Sequence, residues 1–256
     1  MMPLALTREI SPAIARCELT HLARVAIDLD QARRQHEEYE RALSEAGCRV
    51  HRLDAPGDLP DSVFIEDIAV VFDELAIVTR PGAESRRGEV PIVARALAHH
   101  RALETIDDPA TVDGGDVLVV SRRVFVGRTP RTNAAGLEQL KRILEPFGYR
   151  VDGVAVDGCL HLKSAATSLG DATLLVNRKW VDVSAFGGLA LIDVDPTEPS
   201  AANALRVGDS VIFPREHART AERLRAHGLH VRGVGASELA KAEGGVTCCS
   251  LIVQGS

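Results

Sequence analysis

The chain has 256 residues, of which 45% are apolar and 26% charged, and its formal net charge is −6. This length and composition are typical of a globular protein with a substantial buried core. The net charge argues against non-specific nucleic-acid binding, which requires a basic face, but it leaves room for a local basic pocket that binds a small anionic group. The sequence has no run of the roughly 18 apolar residues that span a membrane and no stretch of signal-peptide type. We therefore expect a soluble, cytoplasmic protein without a membrane partner.

The cysteine pattern suggests neither a disulfide framework nor a structural zinc site. They are Cys17, Cys48, Cys159, Cys248 and Cys249. Their number is odd, their spacing is irregular, and no pair has the C-x-x-C spacing that structural zinc sites use. We expect reduced thiols and no bound metal.

The first predicted elements are a strand at residues 3–9, a helix at 30–46 and a strand at 48–53. The helix has a densely charged face, and Gly47 stands where a C-terminal cap is expected. The second unit begins with a buried strand at 63–72 that contains two adjacent acids, Glu66 and Asp67. A strand at 75–79, a helix at 90–99 and a strand at 103–106 complete this unit.

The same order of strand, strand, helix and strand recurs three more times. The predicted strands lie at 117–120, 124–126 and 150–156, at 160–164, 172–176 and 189–194, and at 203–207, 210–213 and 229–234. The predicted helices lie at 133–147, 179–186 and 218–227. A last strand, starting at Cys248 after the flexible pair Gly244-Gly245, pairs with the N-terminal strand and completes the first unit.

A polar residue stands at the start of each unit, about every 45 residues along the chain. These residues are Glu66, Asp113, His161, Asn203 and Cys248. A closed ring is the favoured α/β architecture, because the C-terminal stretch supplies the strand that the first unit lacks. In such a ring the leading ends of the inner strands point towards one central channel. The five side chains are therefore expected to meet.

Three of these residues are suited to nucleophilic catalysis. A cysteine attacks as its thiolate, an imidazole moves protons, and a carboxylate beside the imidazole stabilises its charged form. Cys248, His161 and Asp113 match these roles. Each also has a plainer interpretation: Cys248 as a small core residue, His161 as a satisfied core histidine and Asp113 as part of a turn. Their joint occurrence at equivalent positions of the repeat favours catalysis.

The paired acids indicate a cationic ligand. Carboxylates such as Glu66 and Asp67 are rarely buried without a partner, and a planar guanidinium pairs with them in a bidentate way. The alternative is an internal ion pair with Arg86, Arg87 or Arg131. These arginines lie in loops where they could instead bind a substrate carboxylate. Acids, arginines and a thiol together predict a site for an arginine-like amino acid.

Seven short motifs follow one another along nearly the whole chain. They occupy residues 64–67, 80–89, 113–117, 131–133, 160–164, 201–203 and 247–250. In this order they resemble the dimethylarginine dimethylaminohydrolase family of the guanidino-group-modifying superfamily. The resemblance implies a five-bladed α/β-propeller with pseudo-fivefold ββαβ repeats around a central channel, as a single catalytic domain at 1–256.

The resemblance also implies a reaction that needs no cofactor. Nω-methylated arginine would be hydrolysed to citrulline and dimethylamine or methylamine. Cys248 would attack the guanidinium carbon, and His161 would protonate the departing amine and then activate water against a covalent thiouronium intermediate. Asp113 would orient His161, while Cys249 is taken as non-catalytic.

The implied substrate-binding residues are Leu19, Asp61, Glu66, Asp67, Arg86 and Arg131. The three acids would face the guanidinium, the two arginines would hold the α-carboxylate, and the leucine would lie in a flexible lid.

Other functions fit parts of the same pattern. Arginine deiminases and other guanidino hydrolases have the same fold, but deiminases resemble a pattern with an acid shortly after the histidine, where this chain has Lys163 and Ser164. A non-enzymatic methylarginine-binding protein would not need the catalytic set. A metal sensor using Cys248 and His161 would have too few ligands for a tight site. A homodimer is left open.

Overall fold

The structure is a computed structural model that describes residues 2–55, 57–170 and 172–255. Its first eight strands are Leu4–Arg8 (β1), Arg49–Leu53 (β2), Ala69–Val71 (β3), Leu75–Val78 (β4), Ala102–Thr105 (β5), Val117–Val120 (β6), Arg123–Arg128 (β7) and Arg150–Ala155 (β8). They are followed by Ala166–Gly170 (β9), Thr173–Val176 (β10), Ala190–Asp193 (β11), Leu205–Val207 (β12), Ser210–Pro214 (β13), His230–Val234 (β14) and Leu251–Val253 (β15).

The α-helices are Leu29–Glu45 (α1), Val90–Leu97 (α2), Ala134–Leu144 (α3), Leu162–Ala165 (α4), Ala218–Ala226 (α5) and Ser237–Ala240 (α6). Short 3₁₀ turns lie at Ile14–Arg16, Ile65–Ile68, Glu84–Glu89, Gly114–Asp116, Glu145–Phe147 and Val183–Phe186. Among the described residues, no helix combines the length and apolarity that crossing a lipid bilayer requires.

The strands form five three-stranded sheets: β15-β1-β2, β3-β4-β5, β6-β7-β8, β9-β10-β11 and β12-β13-β14. In every sheet the inner strand is antiparallel to the middle strand, and the outer strand is parallel to it. A parallel neighbour requires a crossover connection, and α1, α2, α3 and α5 supply it in four of the sheets. Between β10 and β11 the connection contains the 3₁₀ turn Val183–Phe186 instead, so the helix predicted at 179–186 is wrong.

The five inner strands surround one channel. A single cavity is lined by Val70 of β3, Leu118 of β6, Ser168 of β9, Leu205 of β12 and Ile252 of β15. The predicted five-bladed α/β-propeller is therefore confirmed.

The C-terminal strand completes the first sheet. In the antiparallel pairing of β1 with β15, Leu4 lies opposite Val253 and Leu6 opposite Leu251. Leu6 is fully buried. The two ends of the chain thus belong to one sheet, as predicted, and this pairing fixes the position of the residues that precede β15.

The hydrophobic core lies between the sheets and the helices that cover them. On α1, the Asp28 carboxylate accepts a hydrogen bond from the Gln31 N–H at 2.9 Å, which caps the helix. Ala32, Tyr39 and Leu43 of this helix share one buried face, at the spacing of an amphipathic helix.

The starts of several predicted strands are wrong. Residues 63–68 include a 3₁₀ turn rather than the first half of a strand, and only Ala69–Val71 is extended. Leu162–Ala165 is one helical turn, and the strand after it begins at Ala166. The last strand begins at Leu251, not at Cys248. These turns are as buried as strands, so the apolar pattern alone does not distinguish them.

The core predicts a stability difference between two phenylalanines. Phe186 is 1% exposed and packs edge-on against Phe125, with ring centroids 5.0 Å apart, whereas Phe147 is 40% exposed. Phe186→Ala should lower the free energy of unfolding by about 3–5 kcal/mol, because it leaves a cavity. The control Phe147→Ala should change it by no more than about 0.5 kcal/mol. Urea unfolding measures both, and equal losses would contradict this account of the core.

Candidate active site

The chemistry-bearing residues lie in the turns that lead into the inner strands. Asp67 is in the 3₁₀ turn before β3, Asp113 precedes the turn before β6, and His161 precedes α4 and β9. Asn203 precedes β12, and Cys248 precedes β15. Because the inner strands surround one channel, these five turns meet at one of its ends.

His161 lies between two carboxylates. Its Nε2 is 3.0 Å from Asp113 Oδ2, and its Nδ1 is 3.8 Å from Asp67 Oδ1. The imidazole packs directly against the backbone of Gly115, where a Cβ atom would lie 2.6 Å from Nδ1 and 2.8 Å from Asp67 Oδ1. Only glycine leaves room for the ring at this position. The structure therefore places the Asp113 carboxylate within hydrogen-bond distance of His161, and the orienting role of Asp113 stays a prediction.

The charges around His161 favour its protonated form. Burial alone lowers the pKa of His161, because it disfavours the imidazolium. The carboxylates of Asp67, Asp113 and Asp116 outweigh burial and raise the pKa to about 9. The ring is therefore a cation, and a proton donor, at neutral pH.

The Cys248 thiol is buried and neutral. Cys248 is 9% exposed, and the Gly245 N–H donates a hydrogen bond to its Sγ atom at 3.3 Å. Burial raises the pKa of Cys248 to about 12, and the negative charges of Glu66 and Asp67 act in the same direction. The thiol thus needs a nearby positive charge before it ionises near neutral pH.

One cavity brings most of the predicted site residues together. It is lined by Asp61, Asp67, Arg86, Arg131, His161 and Cys248, together with Glu18, Phe64, Leu160, Ala242, Glu243 and Gly244. The thiol and the imidazolium therefore face the same hollow, and both cationic and anionic side chains surround it.

Arg86 has different partners from those predicted. It is 4% exposed, donates to Asp67 Oδ2 through Nη1, and donates to Glu89 through Nε at 3.0 Å and Nη2 at 2.9 Å. Nη2 also donates to the carbonyl of Phe64 at 2.9 Å. This is the internal ion pair that the sequence left as an alternative. The positive charges of His161 and Arg86 together outweigh the effect of burial and hold the pKa of Asp67 below its ordinary value.

Glu66 lies on the other side of the turn from Asp67. Its Oε1 accepts a hydrogen bond from Lys163 Nζ at 2.7 Å, and its Oε2 accepts one from Thr247 Oγ1 at 2.7 Å. It lines the central channel rather than the cavity of Cys248. The structure thus separates two adjacent acids that the sequence placed together.

Asp61 and Arg131 contact the irregular segment 17–28. The Asp61 carboxylate accepts hydrogen bonds from the Glu18 N–H, at 3.2 Å to each oxygen, and burial raises the pKa of Asp61 to about 6. Arg131 Nη2 donates to Thr20 Oγ1 at 3.1 Å, and its Nη1 is 3.9 Å from Asp113. Leu19 is half-buried against the core cluster that contains Cys248.

The sequence did not identify Glu243, which also holds this segment. Its carboxylate accepts hydrogen bonds from the backbone N–H groups of Thr20, His21 and Leu22. Its backbone has φ of +59°, which is uncommon for a residue other than glycine. The only signal in the sequence is its position immediately before Gly244-Gly245.

Asp116 was also missed as a site residue, although it belongs to the Asp113–Asp116 motif. It is fully buried and accepts hydrogen bonds from Thr129 Oγ1 at 2.6 Å, Thr132 Oγ1 at 2.7 Å and the Leu162 N–H at 3.0 Å. Burial raises the pKa of Asp116 to about 6. Asp116 thus holds the residue that follows His161.

Asp67, Asp113 and His161 could also hold a metal ion, since one ligand atom of each lies within 4.8 Å of the others. Protonated His161 would have to lose its charge before it could ligate a metal. The expectation of no metal stays a prediction.

Comparison with known proteins identifies the family. The family model described as "N,N dimethylarginine dimethylhydrolase, eukaryotic" matches residues 21–179. An N(G),N(G)-dimethylarginine dimethylaminohydrolase from Streptomyces coelicolor is 41% identical over 249 residues, covering 96% of this chain and 95% of its own length. The chain belongs to the dimethylarginine dimethylaminohydrolase family.

Solved structures of dimethylarginine dimethylaminohydrolases have the same fold. A Pseudomonas aeruginosa enzyme, as a cysteine-to-serine mutant complexed with citrulline, superposes with a TM-score of 0.93 at 33% identity, covering 98% of this chain and 99% of that one. A solved dimethylarginine dimethylaminohydrolase with a histidine-to-glycine substitution, in an adduct with S-methyl-L-thiocitrulline, superposes with a TM-score of 0.93 at 34% identity. The match covers 98% of this chain and 100% of that one.

The site predicts an unusual titration for His161. Its imidazole should titrate near pH 9 in an NMR experiment, above the ordinary value of about 6.5, and His161→Ala assigns the resonance. His217, whose pKa burial lowers, is the control. Because the folded pKa is raised, the stability that charged His161 contributes is complete below about pH 6.5 and is lost as the pH rises through about 9. A resonance for His161 that titrates at or below 6.5 would contradict the assignment.

Proposed function

We propose that this dimethylarginine dimethylaminohydrolase hydrolyses free Nω-methylated arginine to citrulline and methylamine or dimethylamine, with Cys248 as nucleophile and His161 as acid and base. The observation that carries the proposal is the shared cavity, in which the Cys248 thiol, the His161 imidazolium and the carboxylates of Asp61 and Asp67 meet. The bound citrulline and the thiocitrulline adduct of the related structures support the same chemistry.

The substrate itself supplies the charge that the thiol needs. Burial, Glu66 and Asp67 hold the pKa of Cys248 near 12 in the free protein. A guanidinium that pairs with Asp61 and Asp67 cancels their negative charge and places a cation beside the sulfur. Both effects favour the thiolate. Cys248 therefore releases its proton to solvent and becomes nucleophilic when its substrate is bound, because His161 already carries a proton and cannot accept another.

The reaction then proceeds in two halves. The Cys248 thiolate forms a C–S bond to the guanidinium carbon, and the His161 imidazolium gives its proton to the departing amine as the C–N bond breaks. The neutral imidazole next takes a proton from the attacking water. The water oxygen forms a C–O bond to the thiouronium carbon. The C–S bond then breaks and its electron pair returns to sulfur, which takes the remaining hydroxyl proton as the carbonyl of citrulline forms. This step restores the neutral thiol of Cys248 and the imidazolium of His161. Asp113 stabilises the imidazolium form of His161.

The substrate-binding roles divide according to the observed partners. Asp61 and Asp67 face the guanidinium, and Arg131, which makes few other contacts, binds the α-carboxylate. Arg86 and Glu66 support the site indirectly, because Arg86 is committed to Asp67 and Glu89, and Glu66 to Lys163 and Thr247. We expect Leu19 to act with the segment that covers the cavity.

The remaining sequence-based expectations are also part of the proposal. The enzyme would act in the cytoplasm as a single catalytic domain, without a cofactor and without a nucleic-acid or membrane partner. A homodimer stays a prediction, and light scattering of the purified protein distinguishes it from a monomer.

The nucleophile is tested by replacing each of the neighbouring cysteines. Cys248→Ser should reduce citrulline formation from asymmetric dimethylarginine and monomethylarginine by at least about 10³-fold, because a serine hydroxyl at this position has no general base positioned to activate it. Cys249→Ser is the matched control and should keep activity within about threefold. Loss of activity in the Cys249 variant alone would show that the nucleophile is misassigned. Turnover of arginine, with none of either methylarginine, would instead indicate a deiminase.

Glu243 tests the proposal that segment 17–28 covers the cavity. Glu243→Gln removes the charge from three backbone hydrogen bonds, and charge-assisted bonds are roughly twice as strong as neutral ones. Hydrogen–deuterium exchange in peptides spanning 17–28 should rise about fivefold or more, and KM should increase. Glu216→Gln is the control, because Glu216 accepts two backbone N–H groups, those of Ala236 and Ser237, outside this segment. Unchanged exchange at 17–28 in the Glu243 variant would exclude this role.

A further inference from the structure

Four polar residues form a ring of hydrogen bonds that their side chains make with one another and that closes through the backbone carbonyl of Lys163. Lys163 Nζ donates to Glu66 Oε1 at 2.7 Å, and Thr247 Oγ1 donates to Glu66 Oε2 at 2.7 Å. Asn203 Nδ2 donates to Thr247 Oγ1 at 3.0 Å and to the Lys163 carbonyl at 3.1 Å. Asn203 Oδ1 accepts from the Thr247 N–H at 3.0 Å. These four residues come from four different turns of the propeller.

The direction of every bond in the ring is determined by chemistry. A carboxylate only accepts, so the Thr247 hydroxyl must donate to Glu66 and can then only accept from its other partner. The side chain at position 203, which is the other partner of the Thr247 hydroxyl, must therefore donate to it. The same side chain must also donate to the Lys163 carbonyl, because a carbonyl oxygen only accepts. The Thr247 N–H requires an acceptor. An amide side chain provides both a donor group and an acceptor, so asparagine fits at position 203 and aspartate does not.

Three members of the ring are buried and pack against the turn that contains Cys248, and Lys163 is half-buried. Asn203 is 7% exposed, Glu66 8% and Thr247 4%. A Cβ atom at Gly245 would clash with the Asn203 side chain, so the amide lies directly on the backbone that donates to the Cys248 sulfur. Breaking one of these hydrogen bonds would leave a buried polar group without a partner, which makes the arrangement rigid.

Asn203 connects the two halves of the catalytic pair. Thr247 immediately precedes Cys248, and the Lys163 carbonyl is two residues beyond His161. We propose that Asn203 is a positioning residue, which holds the Cys248 turn at a fixed distance from the His161 turn. The inference rests on the proposed roles of Cys248 and His161. Asn203 is not among the residues that line their cavity, so it acts on the rate of reaction rather than on substrate affinity.

The test compares two buried asparagines. Asn203→Ala and Asn203→Asp should lower kcat for asymmetric dimethylarginine by about 10²-fold, because a shift of about 1 Å between reacting groups has an effect of this size. KM should stay within about threefold. The control is Asn177→Ala: Asn177 is 4% exposed and binds the Pro199 carbonyl and the Lys179 N–H, away from the cavity. The free energy of unfolding of Asn177→Ala, measured in urea, should fall by as much as that of the Asn203 variants, whereas its kcat should fall by less than about threefold.

A second pair of variants keeps the test decisive if the Asn203 variants unfold. Thr247→Val preserves the shape of the side chain and the backbone N–H but removes the hydroxyl that binds Glu66. Thr247→Ser keeps that hydroxyl and removes only a methyl group. The serine variant should therefore recover at least about tenfold in kcat over the valine variant. Equal kcat in these two, or a kcat for Asn203→Ala that matches Asn177→Ala, would overturn the inference. Absence of citrulline with the unmodified enzyme would instead refute the proposed function itself.

Discussion

A row of alternating charges, buried at one end of the central channel, organises the site. Arg86 pairs with Asp67, Asp67 lies beside His161, and His161 binds Asp113. Each of these groups is at most 5% exposed, so none can rely on water to stabilise its charge. Each is stable only because its neighbour has the opposite sign. Removing one member leaves a buried charge uncompensated, and this dependence holds the turns of different blades in one arrangement.

The propeller makes this arrangement possible because each of its repeats begins at the same end of the central channel. Every unit enters its inner strand through a short turn, and the five turns surround one opening of the channel. Side chains on a turn can point into the opening of the channel. In an extended strand, by contrast, successive side chains point to opposite faces of the sheet. The pairing of β15 with β1 closes the ring and brings Cys248, at the far end of the chain, beside residues near its middle.

The thiol separates two polar networks with different tasks. On one side it faces the cavity, where Asp61 and Asp67 are the carboxylates with which a guanidinium would pair in the proposed mechanism. On the other side the ring of Glu66, Lys163, Asn203 and Thr247 is already satisfied and needs no ligand. In the proposed mechanism the first network changes its charge balance when a cation binds, and the second holds the sulfur in position. An adaptable charge balance on a rigid support would suit a nucleophile that ionises only with its substrate.

The sequence by itself determined the repeat, the number of units and the convergence of Asp113, His161 and Cys248, because periodic spacing reports equivalent positions in a closed ring. It also identified the family, while the catalytic and binding roles stay predictions. Only the tertiary structure separated Glu66 from Asp67, since adjacent side chains on a turn point to opposite sides and spacing does not show which faces the cavity. It likewise selected Arg86 from among three arginines as the partner of Asp67. That choice depends on which loop folds over the acid, and long-range contacts of this kind, like that of Glu243 with residues 20–22, leave no local pattern in the chain.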